Sequence, residues 1–316
     1  MMRVYTDINS VPQFPKPVIT IGSFDGLHIG HLFIIQQICE EAQRINGTSM
    51  VITFHPHPGM VLENREQPIR ILTAIEEKIN ILDKAGVDVL VIAPFTDAFS
   101  KISADTYLKD FIIQIFQPHT IIIGHDHRFG TERAGGFELL QQYADNNYFR
   151  IIEIPEQLIL DNRVSSTKIR NQLLNGMVED AQLLLGRPYA LSGIVVEGNQ
   201  LGQQLGFPTA NIRLEHTEKI IPADGVYIVK VVLENTKKAN YGIMNIGIRP
   251  TIADQGARTL EVHLLDFDQM IYGKMMEVHF LTRIRDEKKF TDVEALKKQI
   301  KEDKETATLY LKQSGH

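Results

Sequence analysis

The sequence predicts an α/β doubly wound parallel sheet in its first half and an antiparallel β-barrel with a C-terminal helix in its second. Two observations carry this reading. Up to about residue 154, short apolar β-rich runs alternate with segments whose apolar residues recur every three or four positions, as strands joined by crossover helices do. Beyond Arg187-Pro188 the texture changes to β-runs punctuated by glycine, asparagine and aspartate at hairpin-like intervals. A domain boundary is therefore expected between them, giving domains 1–186 and 187–316, each long enough for its own core.

In the first domain the expected strands are Val18–Ile21, Met50–Phe54, Val87–Ile92, Thr120–Ile123 and Phe149–Ile154. Each is a nearly continuous apolar run, which implies a sheet covered on both faces. The helices expected between them are Leu32–Ile45, Ala74–Lys84, Ala104–Phe116 and Phe137–Asn146, with Gly86 as a stop and Ser103 as a start. One more helix, Val178–Leu185, ends at Gly186. In the second domain the β-runs are Tyr189–Val196, Val226–Leu233, Tyr241–Ile246, Thr259–Leu265 and Met275–Arg283, for which a compact barrel is the natural closure. Thr291–Lys312 reads as a helix, with Thr291 and Glu294 at capping-box spacing.

Composition narrows the function. Over 316 residues, 43% apolar and 23% charged side chains describe a soluble globular protein. A formal charge of −6 argues against a general nucleic-acid binder, while leaving nucleotides open, since they need only local positive groups. The single cysteine, Cys39, has no internal disulfide partner and lies beside the apolar stretch Ile34–Ile38, as a buried, inert thiol would. The first residues lack the apolar core of a signal peptide, and no apolar run approaches the roughly 18 residues of a membrane span. A cytoplasmic protein with no membrane partner is expected.

The chemistry-bearing clusters follow the strands, where open α/β sheets bind ligands. The first is G-S-F-D-G-L-H-I-G-H, Gly22 to His31, between a strand and a helix. Such a turn delivers backbone N–H groups and the positive end of a helix to one point, which suits a phosphate. His28 and His31, three apart across Gly30, are close enough to grip one anion together. T-F-H-P-H-P (Thr53–Pro58) and G-H-D-H-R-F-G (Gly124–Gly130) follow the second and fourth strands, and V-S-S-T-K-I-R (Val164–Arg170) opens a helix. Ser165 and Ser166 suit capping as well as phosphate binding, which use the same N–H groups. Arg170, near one turn from Ser166, is placed to brace a leaving pyrophosphate. The histidine pairs His28/His31, His55/His57 and His125/His127 also fit a zinc or di-metal hydrolase, although only Asp25 and Asp126 lie nearby as carboxylates.

Together these motifs resemble the HxGH nucleotidyltransferases, a Rossmann-like class, and within them the FMN adenylyltransferase half of bacterial bifunctional riboflavin kinase/FAD synthetases. G-x-F-D-G-x-H-x-G-H, T-F-x-P-H-P, G-x-D-x-R-F-G and S-S-T-x-I-R occur here in that family's order. The resemblance implies that Gly22, Phe24, Asp25, His28, Gly30, His31, Ser166, Thr167 and Arg170 hold ATP. It implies that Phe54, His57, Pro58, Asp126, Arg128 and Phe129 line the flavin end; the family more often has Phe where this chain has His127. Such a site needs no general base, because the nucleophile is a phosphate monoester already ionised at neutral pH. His28 and His31 then act as transition-state donors, with Arg170 and Mg²⁺ answering the same charge.

In the second domain, Gly198, Gly202 and Gly206 recur every four residues ahead of L-G-F-P-T-A-N. Thr209 and Asn211 are neutral oxygen donors beside a phosphate-type loop, a reasonable way to hold hydrated Mg²⁺. The run Gly193–Asn211 resembles the riboflavin kinase signature, and P-A-D-G-V-Y, N-I-G-I-R-P-T and E-V-H-L-L-D-F match its later motifs. The resemblance places ATP at Gly198, Gly202 and Gly206, and makes Glu261 the base that takes the proton of a ribityl hydroxyl. The implied activity makes FMN from riboflavin and ATP, then FAD and pyrophosphate from FMN and ATP. Two alternatives stay open at this point: adenylyl transfer to another phosphorylated acceptor with a silent barrel, and a flavin- or nucleotide-binding regulator.

Overall fold

The structure, a computed structural model, describes residues 1–62, 69–125, 127–155, 164–198, 206–234, 236, 238–248 and 258–315. Asp126, Gly202 and the end of the N-I-G-I-R-P-T motif lie outside the described residues. The chain divides into two compact units, Met1–Ser166 and Thr167–His316.

The first unit is built on a parallel sheet of six strands: β1 (Arg3–Tyr5), β2 (Pro17–Ile21), β3 (Thr48–His55), β4 (Val89–Pro94), β5 (Thr120–Gly124) and β6 (Arg150–Ile154). Their order is β1-β4-β3-β2-β5-β6. From β2 the chain steps outward to β3 and β4, then crosses back to β5 and β6. The carboxyl ends of β2 and β5 therefore flank the point where the winding reverses, the ligand position in open α/β sheets. β1 escaped the sequence reading because it is a three-residue edge strand that begins with arginine; it pairs with β4 from Arg3↔Val89 to Tyr5↔Val91.

Strand alternation sends two sets of side chains to two cores. Ile19, Ile21, Met50, Ile52, Ile121 and Ile123 pack with α3 (104–116) and α4 (Phe137–Asp145). Val18, Val51, Leu90 and Ile122 pack with α1 (Ile29–Ile45) and α2 (Ile75–Lys84). Both faces are covered, as the continuous apolar runs require. The Ser103 hydroxyl caps α3 by accepting from Thr106 N–H at 3.1 Å, and Gly86, at φ +83°, donates to Asp83 beyond the end of α2.

The second unit contains a closed barrel in the order β10-β11-β8-β7-β12-β9. Its strands are β7 (Ala190–Val196), β8 (Ala210–Leu214), β9 (Gly225–Leu233), β10 (Ala239–Ile248), β11 (Arg258–Leu264) and β12 (Met275–Arg285). β8 is the strand that the sequence does not predict, since Thr209–Asn211 reads there as the end of a loop motif. Helices α5 (Ser166–Leu174) and α6 (Val178–Leu185) pack with the barrel: Ala223 N–H donates to Leu173 O at 2.9 Å, and Arg283 N–H donates to Glu179 at 3.2 Å.

The C-terminal helix α7 (Val293–Gln313) lays Ala307 and Leu311 against Val226, Ile228, Ile243 and Leu281. Its N-cap is Asp292 rather than Thr291: the Asp292 carboxylate accepts from Ala295 N–H at 2.8 Å, and the Thr291 hydroxyl donates to Asp292. Glu294 is drawn instead into a pair with Lys297. Arg285 on β12 grips Asp303 of α7 through Nε and Nη2, at 3.0 and 2.8 Å, and the Asp303 side chain is only 5% exposed. Removing one partner of a buried, two-pronged ion pair strands the other. Asp303→Ala is therefore expected to lower stability by about 3 kcal/mol in urea unfolding, whereas an unchanged midpoint would show α7 to be held by apolar packing alone.

Candidate active site

The Gly22–His31 turn leaves β2 where Gly22 N–H donates to Ile52 O at 3.0 Å. Phe24, Gly26 and Leu27 then follow with φ of +44°, +85° and +39°. For Phe and Leu this left-handed backbone costs about 1–3 kcal/mol each and persists only where neighbouring structure enforces it. The enforcement is visible. The buried Asp25 carboxylate accepts Leu72 N–H at 2.9 Å and Thr73 N–H at 3.1 Å, while its main-chain oxygen accepts the Ser166 hydroxyl at 2.8 Å. Lys78, 5% exposed, donates to Ser23 O at 2.6 Å and to Thr53 Oγ1 at 3.0 Å. Burial pulls its ammonium down to about 8, with the charge of Asp25 opposing the fall.

His28 is the N-cap of α1, and its Nδ1 accepts His31 N–H at 3.2 Å. An acceptor nitrogen carries no proton, so the ring proton is placed on Nε2, leaving that atom as a donor. The His31 ring stacks on His28 with centroids 3.6 Å apart and 16° between planes, and Phe24 meets His31 edge-on at 5.3 Å. Gly22 makes room for this: a Cβ there would sit 3.3 Å from the Phe24 ring. Gly30 is buried in the first helical turn. The motif thus places two imidazoles together at the positive end of a 17-residue helix, beside the switch point.

The clusters after β3 and β5 supply apolar surface. Phe54 and Phe129 are both buried, at 8% and 6% exposure, in one group with Phe99, Tyr107 and Phe111. His57 Nδ1 accepts Gly59 N–H at 3.0 Å and begins a short helical turn at Pro58. Gly135 and Gly136 give way to the neighbouring motif: Cβ atoms there would strike the Phe129 ring and the Arg128 guanidinium. Arg128 stays largely exposed, 3.7 Å from Glu138. Thr167 is exposed and Arg170 half-buried on α5.

In the barrel, Glu261 of β11 lies opposite Asn211 of β8 in register, and the Thr209 hydroxyl donates to Glu261 Oε2 at 3.5 Å. All three are half-buried. Gly198 has to lack a side chain, since a Cβ would fall 2.0 Å from Asn211 Nδ2, and Gly206 turns the chain at φ +87°. His263, on the same face of β11 as Glu261, meets the Pro208 carbonyl with Nδ1 at 2.8 Å and the Phe207 ring edge-on at 5.8 Å. It braces the segment that carries Thr209. Sequence reasoning missed His263 and Lys78. The available signals were the two-residue step from Glu261 and the place of Lys78 on the Ile75–Ile79–Leu82 stripe.

Among the described residues no three His, Cys, Asp or Glu side chains come together as a metal cluster. His28 caps a helix, His57 caps a turn, and His125 faces Glu153 in an exposed pair.

A parallel sheet with an HxGH turn at its switch point, in one chain with a closed barrel carrying Thr, Asn and Glu, defines a two-domain enzyme of nucleotidyl and phosphoryl transfer. Residues 11–168 match the FAD synthetase family profile and residues 185–311 the riboflavin kinase profile. A bifunctional riboflavin kinase/FMN adenylyltransferase of Haemophilus influenzae is 40% identical, across 92% of this chain and 93% of that one. The Escherichia coli K12 protein of the same description is 37% identical, across 97% of each. A solved Streptococcus pneumoniae structure, described as a macrolide-efflux protein, matches with a TM-score of 0.85 at 30% identity over 97% of this chain and 98% of its own. The chain belongs to the bifunctional riboflavin kinase/FMN adenylyltransferase family. Among its described residues no helix is long and apolar enough to cross a membrane.

Proposed function

We propose that the Gly22–His31 turn holds ATP for adenylyl transfer and that Thr209, Asn211 and Glu261 form the centre for phosphoryl transfer, on functional segments 1–186 and 187–316. The enzyme makes FMN from riboflavin and FAD from FMN, with ATP as co-substrate in both steps. The observation that carries the first assignment is the cap bond from His31 N–H to His28 Nδ1, which leaves His28 Nε2 a donor beside the stacked His31.

In adenylyl transfer the FMN phosphate oxygen attacks the α-phosphorus of ATP and the bond to pyrophosphate breaks. Negative charge grows on the bridging and non-bridging oxygens. His28 and His31 meet that charge with N–H donors fixed in advance, so no reorganisation is needed at the moment of reaction. Asp25 contributes by shaping the turn, since its carboxylate is already engaged by two amides. Gly22, Phe24 and Gly30 shape the same turn, and Ser166 ties to it through Asp25. The assignment of Thr167 and Arg170 to ATP rests on their motif. At the flavin end, Phe54 and Phe129 support the apolar wall, and His57, Pro58, Asp126 and Arg128 keep their motif assignments.

In phosphoryl transfer a ribityl hydroxyl is the nucleophile, and Glu261 takes its proton as the γ-phosphoryl moves. Gly198, Gly202 and Gly206 keep their motif assignment to ATP. The neutral oxygen donors of Thr209 and Asn211 suit Mg²⁺. When bound there it neutralises charge on the ATP phosphates. A cytoplasmic setting suits this chemistry, since both steps draw on ATP.

A direct test is a titration with a non-hydrolysable ATP analogue, read on the imidazole resonances of His28 and His31. Both are expected to shift with one saturable constant. Resonances that stay in place at saturating analogue would remove ATP from this turn.

A further inference from the structure

We infer that Lys78 is a positioning residue for adenylyl transfer: it fixes the Ser23 carbonyl and so maintains the left-handed turn that presents His28 and His31. The inference rests on reading that turn as the ATP site.

An ammonium this deeply buried is costly unless it is paired and hydrogen-bonded. Here it makes two hydrogen bonds and feels the charge of Asp25, and every one of these groups belongs to the turn or supports it. Nζ donates to Ser23 O at 2.6 Å and to Thr53 Oγ1 at 3.0 Å, and the Thr53 hydroxyl donates to the same Ser23 oxygen at 3.2 Å. The charge facing Lys78 is Asp25, whose carboxylate holds Leu72 and Thr73 N–H. Lys78 and Asp25 thus clamp the chain on either side of Phe24, the first residue of positive φ and the one whose ring abuts His31.

Core packing alone does not call for a lysine. Ile75, Ile79 and Leu82 share its stripe of α2, and exchanging a buried ion for an apolar side chain of similar volume is often neutral or stabilising. What an apolar side chain cannot supply is a donor to Ser23 O. Without that donor the Ser23 carbonyl keeps only the longer bond from the Thr53 hydroxyl, so the constraint on the N-terminal side of Phe24 is weakened, and a displacement of about 1 Å at the reacting groups can lower rate about 10²-fold.

The experiment uses the full-length enzyme as Lys78→Met, with both activities measured on the same preparation. FAD formation from FMN is expected to lose about 10²-fold in kcat, with the KM for FMN little changed and FMN formation from riboflavin unaffected. Lys78→Gln, which retains N–H donors, is expected to recover part of the loss. Wild-type kcat for FAD formation in folded Lys78→Met would overturn the inference, as would a loss matching only the unfolded fraction. Should Lys78→Met not fold, Thr53→Val takes its place: a several-fold fall in kcat for FAD formation supports the inference and an unchanged kcat overturns it. His31→Ala run alongside separates the two readings. If it turns over normally, the turn is not the ATP site; if it is slow while Lys78→Met is normal, only the role of Lys78 falls.

Discussion

Glu261→Gln is expected to abolish formation of FMN from riboflavin while FAD formation from supplied FMN continues. The glutamine keeps the size of the side chain and an oxygen for the Thr209 hydroxyl, which meets Glu261 Oε2 at 3.5 Å. It removes the carboxylate charge and with it the ability to accept a proton. A ribityl hydroxyl is a poor nucleophile at neutral pH, so the loss should reach about 10²–10⁴-fold in kcat, the usual contribution of a positioned base. Because Asn211 lies opposite Glu261 on the neighbouring strand, substitution there is a separate perturbation, directed at metal and ATP binding more than at the proton. Parallel assays of riboflavin phosphorylation and FMN adenylylation check the prediction. Loss of both activities together would argue against separate centres, and retention of the first would remove Glu261 as the base.

The second large effect is expected at His31. His31→Ala should lower kcat for FAD formation by about 10²–10³-fold, as removal of one preorganised donor does elsewhere, and leave FMN affinity largely intact. Donors that act on charge developing in the transition state alter kcat more than substrate binding. The His28 cap accepts from the main-chain N–H of residue 31, so the helix start survives loss of the imidazole. Riboflavin phosphorylation on the same chain reports whether the variant is folded. An unchanged kcat would refute the assignment.

The sequence made the Gly22–His31 turn legible because strand, glycine-rich turn and helix are local features with local periods. It did not reveal what enforces the turn. Asp25 reads as a ligand within its motif, yet the amides it accepts belong to Leu72 and Thr73, far along the chain and without a side-chain signature. Lys78 follows Glu76 and Glu77 and so reads as part of a solvated charge run; only its helical spacing with Ile75 and Leu82 hints at burial. β8 was hidden because its N-I-R-L alternation sits at the end of a recognised loop motif. The cap of α7 lies one residue later than the spacing predicts because Asp292 accepts from Ala295 N–H and the Thr291 hydroxyl is engaged with the Asp292 carboxylate. The compact units divide after Ser166, the first residue of α5, while the change in sequence texture comes after α6, because periodicity reports secondary structure and not which neighbour a helix packs against.

The central claim is that two separate centres on one chain perform successive phosphorus transfers, and complementation tests it most directly. Glu261→Gln and His31→Ala enzymes are incubated with riboflavin and MgATP, alone and mixed, and FAD is followed. Each alone should make little FAD, the first for want of FMN and the second stopping at FMN, while the mixture should restore FAD formation. A mixture no better than either variant alone, with both proteins folded, would contradict the account.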